Sequence, residues 1–303
     1  MGDGVKDLEH IAIERLKAAS EMSIQNYQQP LAVCISGGKD SSVITELAIR
    51  AGIPVEFMHN HTTADAPETV RFVRSELKRL EDLGYKCTMN MPTYKGKRVS
   101  MWSLIPQKMI PPTRLVRYCC SVLKETGGAN RFICTGVRWA ESQSRKNNRG
   151  VYEKLGETKD KNIILNNDND DKRMLFENCR MKAKRVVNPI IDWQDEDVYG
   201  FLEDARCPMN PLYEEGQRRV GCVGCPMAVK KGREAEFLRW PKYKNLYLMA
   251  FDNMLKERER RGKMEGYWRI GTTSMDVFNW WMEYYILPGQ MEMEDYLVED
   301  ADE

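Results

Sequence analysis

The sequence predicts an α/β protein, in which a parallel twisted sheet with flanking helices is followed by a mostly helical C-terminal region. Three observations lead to this fold class. A strand, a glycine loop, a helix and a second strand follow one another over residues 31–58. Strand and helix patterns then alternate to residue 205, as parallel strands joined by crossover helices require. Residues 234–282 are helical in pattern and rich in aromatic side chains, which are more typical of core packing than of a binding surface.

The individual elements follow from hydrophobic periodicity and from turn residues. The amphipathic pattern of residues 5–28 predicts the first helix, and the apolar run from Leu31 to Ile35 predicts the first strand. Further helices are predicted over residues 40–50, 67–83 and 194–205, and further strands over residues 53–58, 86–91, 131–137, 163–165 and 186–191.

Two segments interrupt this alternation. Residues 139–185 combine many charges with a polar run from Asn166 to Asp171, which favours a mobile excursion. Residues 206–233 contain several prolines and glycines and a Cys-x-x-Cys pair, which favours an irregular loop. We therefore predict four regions, namely an N-terminal helix (1–29), an α/β domain (30–205), a cysteine-containing loop segment (206–233) and a helical C-terminal extension (234–303).

Composition narrows the class of protein. Lys and Arg number 46 against 45 Asp and Glu, so net charge gives no evidence for nucleic-acid binding. One cluster of basic residues has two interpretations, namely a local basic face that binds an anion and a solvated loop. The residues of that face are Arg145, Lys146, Arg149, Lys182, Lys184 and Arg185. Neither a signal peptide nor a run of roughly 18–20 apolar residues is found, so we expect a cytoplasmic protein that does not bind membranes.

The segment Ser36-Gly37-Gly38-Lys39-Asp40-Ser41 lies between the first predicted strand and a helix. Its glycines let the backbone approach phosphate oxygens, and the N–H groups of the helix start carry the positive end of the helix dipole. Lys39 adds a mobile charge, and Asp40 is a candidate ligand for Mg²⁺, which prefers oxygen donors. Hydroxyl groups come from Ser36, Ser41 and Ser42. The segment is not a Walker A loop, and we interpret it as a nucleotide phosphate site.

At this loop the chain resembles the PP-loop ATP pyrophosphatases of the adenine nucleotide α-hydrolase superfamily. Within them it most resembles the phosphoadenosine phosphosulfate (PAPS) reductase family. Further segments carry the likeness in the same order, namely residues 61–69, 135–145, 188–198, 207–213 and 221–225. The resemblance covers about residues 30–230. It implies a Rossmann-like fold and makes residues 30–205 the nucleotide-binding domain.

The resemblance also implies roles for residues outside the loop. Arg138 and Arg145 are expected to be catalytic and to hold phosphate or sulfate oxygens, which guanidinium groups bind in bidentate fashion. The residues expected to line the nucleotide pocket are Thr62, Gly136, Glu141 and Ser142. For Glu141 and Arg145 the alternative is an ordinary i,i+4 ion pair on a surface helix, worth about 0.2–0.5 kcal/mol.

Four of the nine cysteines form two pairs, Cys119-Cys120 and Cys222-x-x-Cys225. A cytosolic protein keeps its thiols reduced, so a metal site is favoured over disulfides. The same arrangement ligates a 4Fe–4S cluster in the adenylyl-sulfate reductases that this chain resembles, and the resemblance implies such a cluster here. A structural Cys₄ zinc site is the alternative, and Cys207 is a candidate substitute ligand. The apolar surroundings of Cys34 and Cys134 predict buried, inert thiols.

The leading hypothesis is an ATP pyrophosphatase that adenylates an acceptor and supports sulfur transfer. Lys39 favours it, because its charge can neutralise departing pyrophosphate. In addition, sulfonucleotide reductases resembling this chain use a C-terminal cysteine nucleophile, and no cysteine follows Cys225 in this sequence. By resemblance the nearest functional analogue is DndC, the PAPS reductase-like component of DNA phosphorothioation. The expected cofactors are ATP and Mg²⁺. The expected partners are a sulfur donor, such as a cysteine desulfurase, and an acceptor that is DNA, tRNA or a small molecule.

Two other hypotheses stay open. One is reductive cleavage of adenylyl sulfate or phosphoadenylyl sulfate, with the nucleophilic thiol supplied in trans or by Cys179 or Cys207. The other is a non-catalytic nucleotide-binding module with a structural zinc site.

Overall fold

The structure is a computed structural model that describes residues 3–125, 127–128, 130–155, 162–166 and 184–284. The chain divides into two compact units. The first contains residues 1–61, 67–90 and 125–220, and the second contains residues 62–66, 91–124 and 221–303. The expectations for Cys179, for Lys182 and for most of the polar run 166–171 lie outside the described residues.

A seven-stranded sheet forms the first unit. Its strands are β1 (Leu31–Cys34), β2 (Val55–Asn60), β3 (Lys86–Asn90), β6 (Phe132–Cys134), β7 (Tyr152–Leu155), β8 (Ile163–Leu165) and β9 (Lys184–Val187). They are arranged in the order β3-β2-β1-β6-β9-β7-β8. The five strands from β3 to β9 are parallel, whereas β7 pairs antiparallel with both β9 and β8. This mostly parallel sheet confirms the predicted α/β class.

The strand order reverses between β1 and β6. From β1 the chain proceeds outward through β2 and β3, and it later proceeds outward on the other side from β6 to β9. In open α/β sheets, ligands bind at such a switch point, in the crevice beyond the carboxyl ends of the strands. The glycine loop follows β1 and Gly136 follows β6, so both lie at this edge.

The helices of the first unit surround this sheet. They are α1 (Asp3–Tyr27), α2 (Lys39–Ala51), α3 (Pro67–Asp82), α5 (Gln143–Asn148), α6 (Asp195–Asp204) and α7 (Pro211–Glu214). Helix α1 packs against α2, β1, β6 and β9. Arg15 of α1 holds both carboxylate oxygens of Asp192, each at 2.9 Å, which fastens the helix to the segment before α6. Apolar side chains such as Val33, Leu47, Phe57 and Trp193 form the core.

The second unit is mostly helical. Its helices are α4 (Met101–Lys108), α8 (Lys230–Arg239), α9 (Pro241–Arg260) and α10 (Ser274–Trp281), and it contains a hairpin of β4 (Thr93–Tyr94) and β5 (Lys97–Arg98). Cys120–Lys124 form a π-helical turn. Helix α4 packs along α9. The ring of Trp281 lies 4.5 Å from that of Tyr247 and 5.5 Å from that of Phe251, so these aromatic residues form a core, as predicted.

Three sequence-based expectations differ from the structure. The predicted mobile excursion is wrong for its described part, because α5 and β7 are ordered and Glu153 is buried where Arg149 and Asn188 donate to its carboxylate. The predicted basic face is wrong for Arg185, which is fully buried in β9. Residues 91–124 group with the C-terminal helices rather than with the α/β domain, because α4 packs on α9. No described helix is long and apolar enough to cross a membrane.

Candidate functional site

The glycine loop turns the chain from β1 into the first turn of α2. Gly37 has a φ of +77°, and a Cβ at this position would lie 2.8 Å from Thr69 Cγ2, so both conformation and space require glycine. Gly38 is the extended N-cap residue of α2, and no side chain caps the helix from this position. Ser36 is exposed beside it. The loop therefore presents a helix N-terminus, the arrangement that binds anions, at the switch point of the sheet.

Four charged side chains meet beside the loop. The Nε of Arg138 donates to Asp40 Oδ1 and its Nη2 donates to Asp195 Oδ1, both at 2.6 Å. The Nζ of Lys39 lies 3.3 Å from Asp40 Oδ1 and 3.1 Å from Asp195 Oδ1. Arg138 is 1% exposed, and its Nη1 also donates to the carbonyl oxygen of Trp193 at 3.1 Å. We call Lys39, Asp40, Arg138 and Asp195 the charge cluster.

The charge cluster is electrically balanced, with two cations facing two carboxylates. Hydrogen bonds from Arg138 and then from Lys39 lower the pKa of Asp195, which keeps this carboxylate ionised. Asp195 is also the most exposed member, with 64% of its side chain accessible. An incoming phosphate can therefore replace Asp195 as the partner of Lys39 and Arg138 without leaving a buried charge unpaired. On Asp40, Oδ2 makes the weaker contacts and is the oxygen best placed to accept Mg²⁺.

Two residues of the 207–213 segment hold the loop from the opposite side. The Asn210 amide, buried at 1% exposure, donates to the Gly37 carbonyl at 3.1 Å and to Thr69 Oγ1 at 3.0 Å. The hydroxyl of Tyr213 accepts from the backbone N–H of Lys39 at 3.0 Å. Burial raises the pKa of Tyr213 to about 12, so the phenol stays neutral. These contacts fix the loop backbone, a role that the sequence analysis did not assign.

The serines and the glycine that were predicted to bind nucleotide differ in their surroundings. The hydroxyl of Ser41 is buried, donates to the Gly38 carbonyl at 2.7 Å and accepts from the Ser36 N–H at 3.2 Å, so it braces the loop itself. Ser42 is half-buried in the first turn of α2. A Cβ at Gly136 would lie 2.8 Å from the carbonyl oxygen of Asp40. Glycine at this position therefore allows the segment after β6 to approach the loop.

The Glu141–Arg145 segment forms the i,i+4 ion pair that was the alternative interpretation of these residues. Ser142 is the N-cap residue of α5, and its hydroxyl accepts from the Arg145 N–H. Burial, and then the like charges of Arg219 and Arg149, lower the pKa of Arg145. The charge of Asp40 also acts on Arg145. Arg145 thus lies in the electrostatic field of the loop, within a group of guanidinium ions suited to an anion.

The two cysteine pairs belong to the second unit and lie together there. The thiol of Cys119 is hydrogen-bonded to Cys120, which lowers the pKa of Cys120 and raises that of Cys119. Arg117 Nη2 donates to Cys120 Sγ at 3.4 Å. Negative charge on Cys222 or Cys225 also raises the pKa of Cys119, so all four sulfurs share one neighbourhood. The π-helical turn explains how adjacent cysteines face one site, since π turns widen the helix locally.

Backbone contacts position the second pair. Cys222 forms an isolated antiparallel β-bridge with Asp65, and the N–H of Val223 donates to the carbonyl of Ala64 at 2.8 Å. Cys222 Sγ lies 3.5 Å from both Thr62 Oγ1 and Asp65 Oδ1. Burial raises the pKa of Cys222 to about 12, and the negative charge of Cys222 in turn raises the pKa of Lys124. Thr62, a predicted nucleotide ligand, thus belongs to the second unit, beside the cysteines.

The spacing of the sulfurs bears on the kind of group that they fit. A tetrahedral zinc site with Zn–S bonds of about 2.3 Å places its sulfurs about 3.8 Å apart. Among the described residues, no three of the cysteine sulfurs lie within 4.8 Å of one another. A cubane cluster is wider, because each thiolate binds a separate iron. Thiolates bind both kinds of group, so the four cysteines are candidate ligands for a 4Fe–4S cluster or for zinc.

The other described cysteines do not join this group. Cys207 belongs to the first unit, where it packs against the core. Burial raises the pKa of Cys207, Cys34 and Cys87 to about 11, and raises that of Cys134 as well. The expectation of inert thiols at positions 34 and 134 is therefore supported. The expectation that Cys207 is a substitute ligand is not supported, because its charged neighbours are Glu46, Arg50 and Arg79 of the first unit.

Residues 30–228 match the family of the phosphoadenosine phosphosulfate reductase domain. The chain belongs to this family. The match covers the glycine loop, the charge cluster and both cysteine pairs, so it includes every candidate site residue of the sequence analysis. The PAPS reductase-type resemblance is confirmed at the level of the family.

Three relatives of this PAPS reductase-domain chain each match more than two thirds of it. An uncharacterized protein of Methanocaldococcus jannaschii is 29% identical over 279 residues, which cover 88% of this chain and 58% of the relative. A second protein from that organism is 25% identical, over 73% of this chain and 42% of the relative. The chain thus spans about half the length of these two relatives. The adenosine 5′-phosphosulfate reductase of Streptomyces coelicolor is 25% identical over 68% of this chain and 76% of its own length.

Among solved structures, the phosphoadenylyl-sulfate reductase from Candida auris, in a phosphate complex, is 16% identical. It aligns with a TM-score of 0.44 over 73% of this chain and 95% of its own.

Within this family member, the sequence analysis missed Asp195, Asn210 and Tyr213. Asn210 and Tyr213 are part of the quoted 207–213 segment, so the motif itself signals their importance. Asp195 follows Trp193 in the 188–198 segment, but nothing in its local sequence indicates a contact with Lys39, 156 residues away.

Proposed function

We propose that this chain is an ATP pyrophosphatase that adenylates an acceptor and supports sulfur transfer, with a 4Fe–4S cluster on Cys119, Cys120, Cys222 and Cys225. The observation that carries the proposal is the charge cluster. Lys39 and Arg138 lie beside the N-terminus of α2 and pair with carboxylates that a polyphosphate can replace. This arrangement suits a reaction in which negative charge develops on departing pyrophosphate.

In the proposed reaction, ATP and Mg²⁺ bind at residues 36–42, with Asp40 as the protein ligand of the metal. An oxygen of the acceptor attacks the α-phosphorus, and the bond between that phosphorus and the bridging oxygen of pyrophosphate breaks. Lys39 and Arg138 stabilise the leaving pyrophosphate. A sulfur atom at the oxidation level of sulfide, delivered by a partner such as a cysteine desulfurase with its reductant, then displaces AMP. The acceptor oxygen leaves with AMP, so atoms and electrons balance.

The reductase hypothesis has support from the relatives, which include adenosine 5′-phosphosulfate reductases. A reductase of this kind needs an accessible thiolate that attacks the sulfur of the substrate. The described cysteines outside the candidate cluster site all have raised pKa values, which disfavours a thiolate at neutral pH. The zinc-module hypothesis predicts one zinc ion on the same four thiolates, so metal analysis separates it from the proposal.

The test is nucleotide turnover by the purified chain. We expect ATP to be converted to AMP and pyrophosphate, and Lys39→Ala to slow this about 100-fold, the typical effect of removing one group that stabilises developing negative charge. Lys78→Ala is the matched control, because Lys78 is exposed on α3 and forms an ion pair with Asp82 of the same helix. Release of sulfite from adenylyl sulfate, with no AMP formed from ATP, would replace the proposal by the reductase hypothesis.

A further inference from the structure

The segment Met91–Lys124 of the second unit is strongly basic. It contains seven Lys or Arg residues and no Asp or Glu, although the whole chain has a net charge of only +1. The seven residues are Lys95, Lys97, Arg98, Lys108, Arg114, Arg117 and Lys124. A run of one sign this long creates a local positive potential that the net charge of the chain does not reveal.

The β4–β5 hairpin presents the most accessible of these charges. Lys95, Lys97 and Arg98 are all exposed, and no carboxylate of the described residues lies within 4.0 Å of their charged groups. The hairpin tip reads Lys95-Gly96-Lys97-Arg98 and offers no apolar side chain. Among the described residues these three cations have no carboxylate partner, so they can bind an external polyanion. Lys95 Nζ lies 5.5 Å from the centroid of the Tyr94 ring.

The geometry of the turn is unfavourable for the residue that occupies it. Lys95 has a φ of +51° and Gly96 a φ of +76°, so both central residues of the two-residue turn are left-handed. Such turns favour Asn, Asp or Gly at the first position, and lysine adopts this conformation at a cost. Residues that break a local structural rule are often found where function requires them.

The side chain of Lys108, from α4, contacts Tyr94 of the hairpin. Lys108 Nζ lies 3.1 Å from the hydroxyl of Tyr94 and 4.2 Å from the centroid of its ring. Strand β4 packs against the π-helical turn that carries Cys120. The basic hairpin and the cysteine group are therefore neighbours within one unit.

We propose that the β4–β5 hairpin, with Lys95, Lys97 and Arg98, is a nucleic-acid-binding surface that brings the acceptor of the proposed sulfur transfer to the cysteine group. This inference rests on the proposed function. Closely spaced, unpaired cations match the regularly repeated phosphates of a sugar–phosphate backbone, and Arg98 can hold a phosphate in bidentate fashion. A membrane surface would favour apolar residues at the tip, and the hairpin tip has none.

The experiment measures binding of fluorescent single-stranded DNA, duplex DNA and RNA by anisotropy, without ATP, over a range of salt concentrations. We expect Lys95→Gln/Lys97→Gln/Arg98→Gln to weaken binding about 100-fold near 0.1 M salt and to reduce the slope of log K against log salt by about two to three. The three nucleic acids distinguish which polymer is bound. Turnover of ATP stays unchanged in this variant, so failure of this inference and failure of the proposed function are separable.

Two controls make the result decisive. Arg71→Gln/Arg74→Gln/Lys78→Gln removes the same charge from exposed positions of α3 and is expected to bind almost normally. Lys95→Gly relieves the left-handed strain, so it should weaken binding without lowering the melting temperature. The proposal is overturned if the wild-type chain binds none of the three polymers at low salt, if both triple variants lose affinity equally, or if anionic phospholipid vesicles displace the nucleic acid.

Discussion

Arg138 illustrates how one side chain can determine the state of a site. Its guanidinium group contacts Asp40, Asp195 and the carbonyl of Trp193 at once, and no lysine could reproduce this geometry. Arg145, seven residues later, pairs with the carboxylate of Glu141, and about a third of its side chain is exposed. The resemblance assigned both arginines the same role, whereas their surroundings differ.

Replacement of each arginine by lysine tests this difference. Arg138→Lys keeps the charge but cannot make all the hydrogen bonds of the buried guanidinium group, so we expect a loss of about 2–3 kcal/mol in the free energy of unfolding. Arg145→Lys should cost less than about 1 kcal/mol, as exposed ion pairs do. Urea unfolding followed by tryptophan fluorescence measures both values. Equal losses in the two variants would show that Arg138 is not the structural centre of the charge cluster.

At the level of the elements, each cysteine pair depends on an unusual backbone feature. The vicinal pair lies at a π-helical turn, and the Cys222–Cys225 pair is separated by a glycine with a φ of +70°. A Cβ at Gly224 would lie 2.5 Å from Phe237 Cζ and 3.1 Å from both Trp281 and Tyr247. The turn thus packs against the aromatic core of the second unit, which links the position of the Cys222–Cys225 pair to the packing of α8, α9 and α10.

Gly224→Ala should destabilise the protein through both conformation and space. The left-handed backbone costs about 1–2 kcal/mol with any side chain, and the clash with the aromatic rings adds about 1–3 kcal/mol. Gly216→Ala is the matched control, because Gly216 has a φ of +86° with nothing within 4 Å of its Cβ position. Thermal unfolding should therefore show a clearly larger loss for Gly224→Ala. A loss no larger than that of Gly216→Ala would contradict the packing of this turn.

At the level of the whole molecule, the two candidate sites are divided between the two units. The glycine loop and the charge cluster belong to the first unit, and the four clustered cysteines and the basic hairpin belong to the second. In the proposed function, the first unit carries the nucleotide site and the second carries the cysteine site. This division agrees with a two-stage reaction in which activation of the acceptor precedes sulfur transfer.

The metal content of the whole protein tests the second of these sites. Protein purified without oxygen should be brown and contain about four irons per chain, as one cubane cluster requires. Cys225→Ser should lose most of this iron, whereas Cys207→Ser should retain it, because Cys207 belongs to the first unit. Iron and zinc analysis with absorption spectroscopy provides the measurement. Colourless protein with one tightly bound zinc would favour the structural zinc site instead.

The sequence by itself determined the features that depend on neighbouring residues. The apolar run of β1, the two glycines and the start of α2 lie within a few positions of one another, so local periodicity and turn chemistry predict the phosphate loop. Most strands and helices of the first unit were predicted for the same reason. The hairpin, α4 and β7 were not predicted. Strands β4 and β5 are each two residues long, which is too short for a periodic pattern. Strand β7 contains the charged residues Glu153 and Lys154, although both are buried.

Only the tertiary structure decided which distant residues meet. Asp195 and Tyr213 reach Lys39 across 156 and 174 positions, and no periodicity encodes such pairings. Residues 91–124 join the C-terminal helices because α4 buries its apolar face on α9, a choice that the pattern of α4 alone leaves open. Local propensities act over a few residues, whereas burial and charge pairing act between any surfaces that the fold brings together.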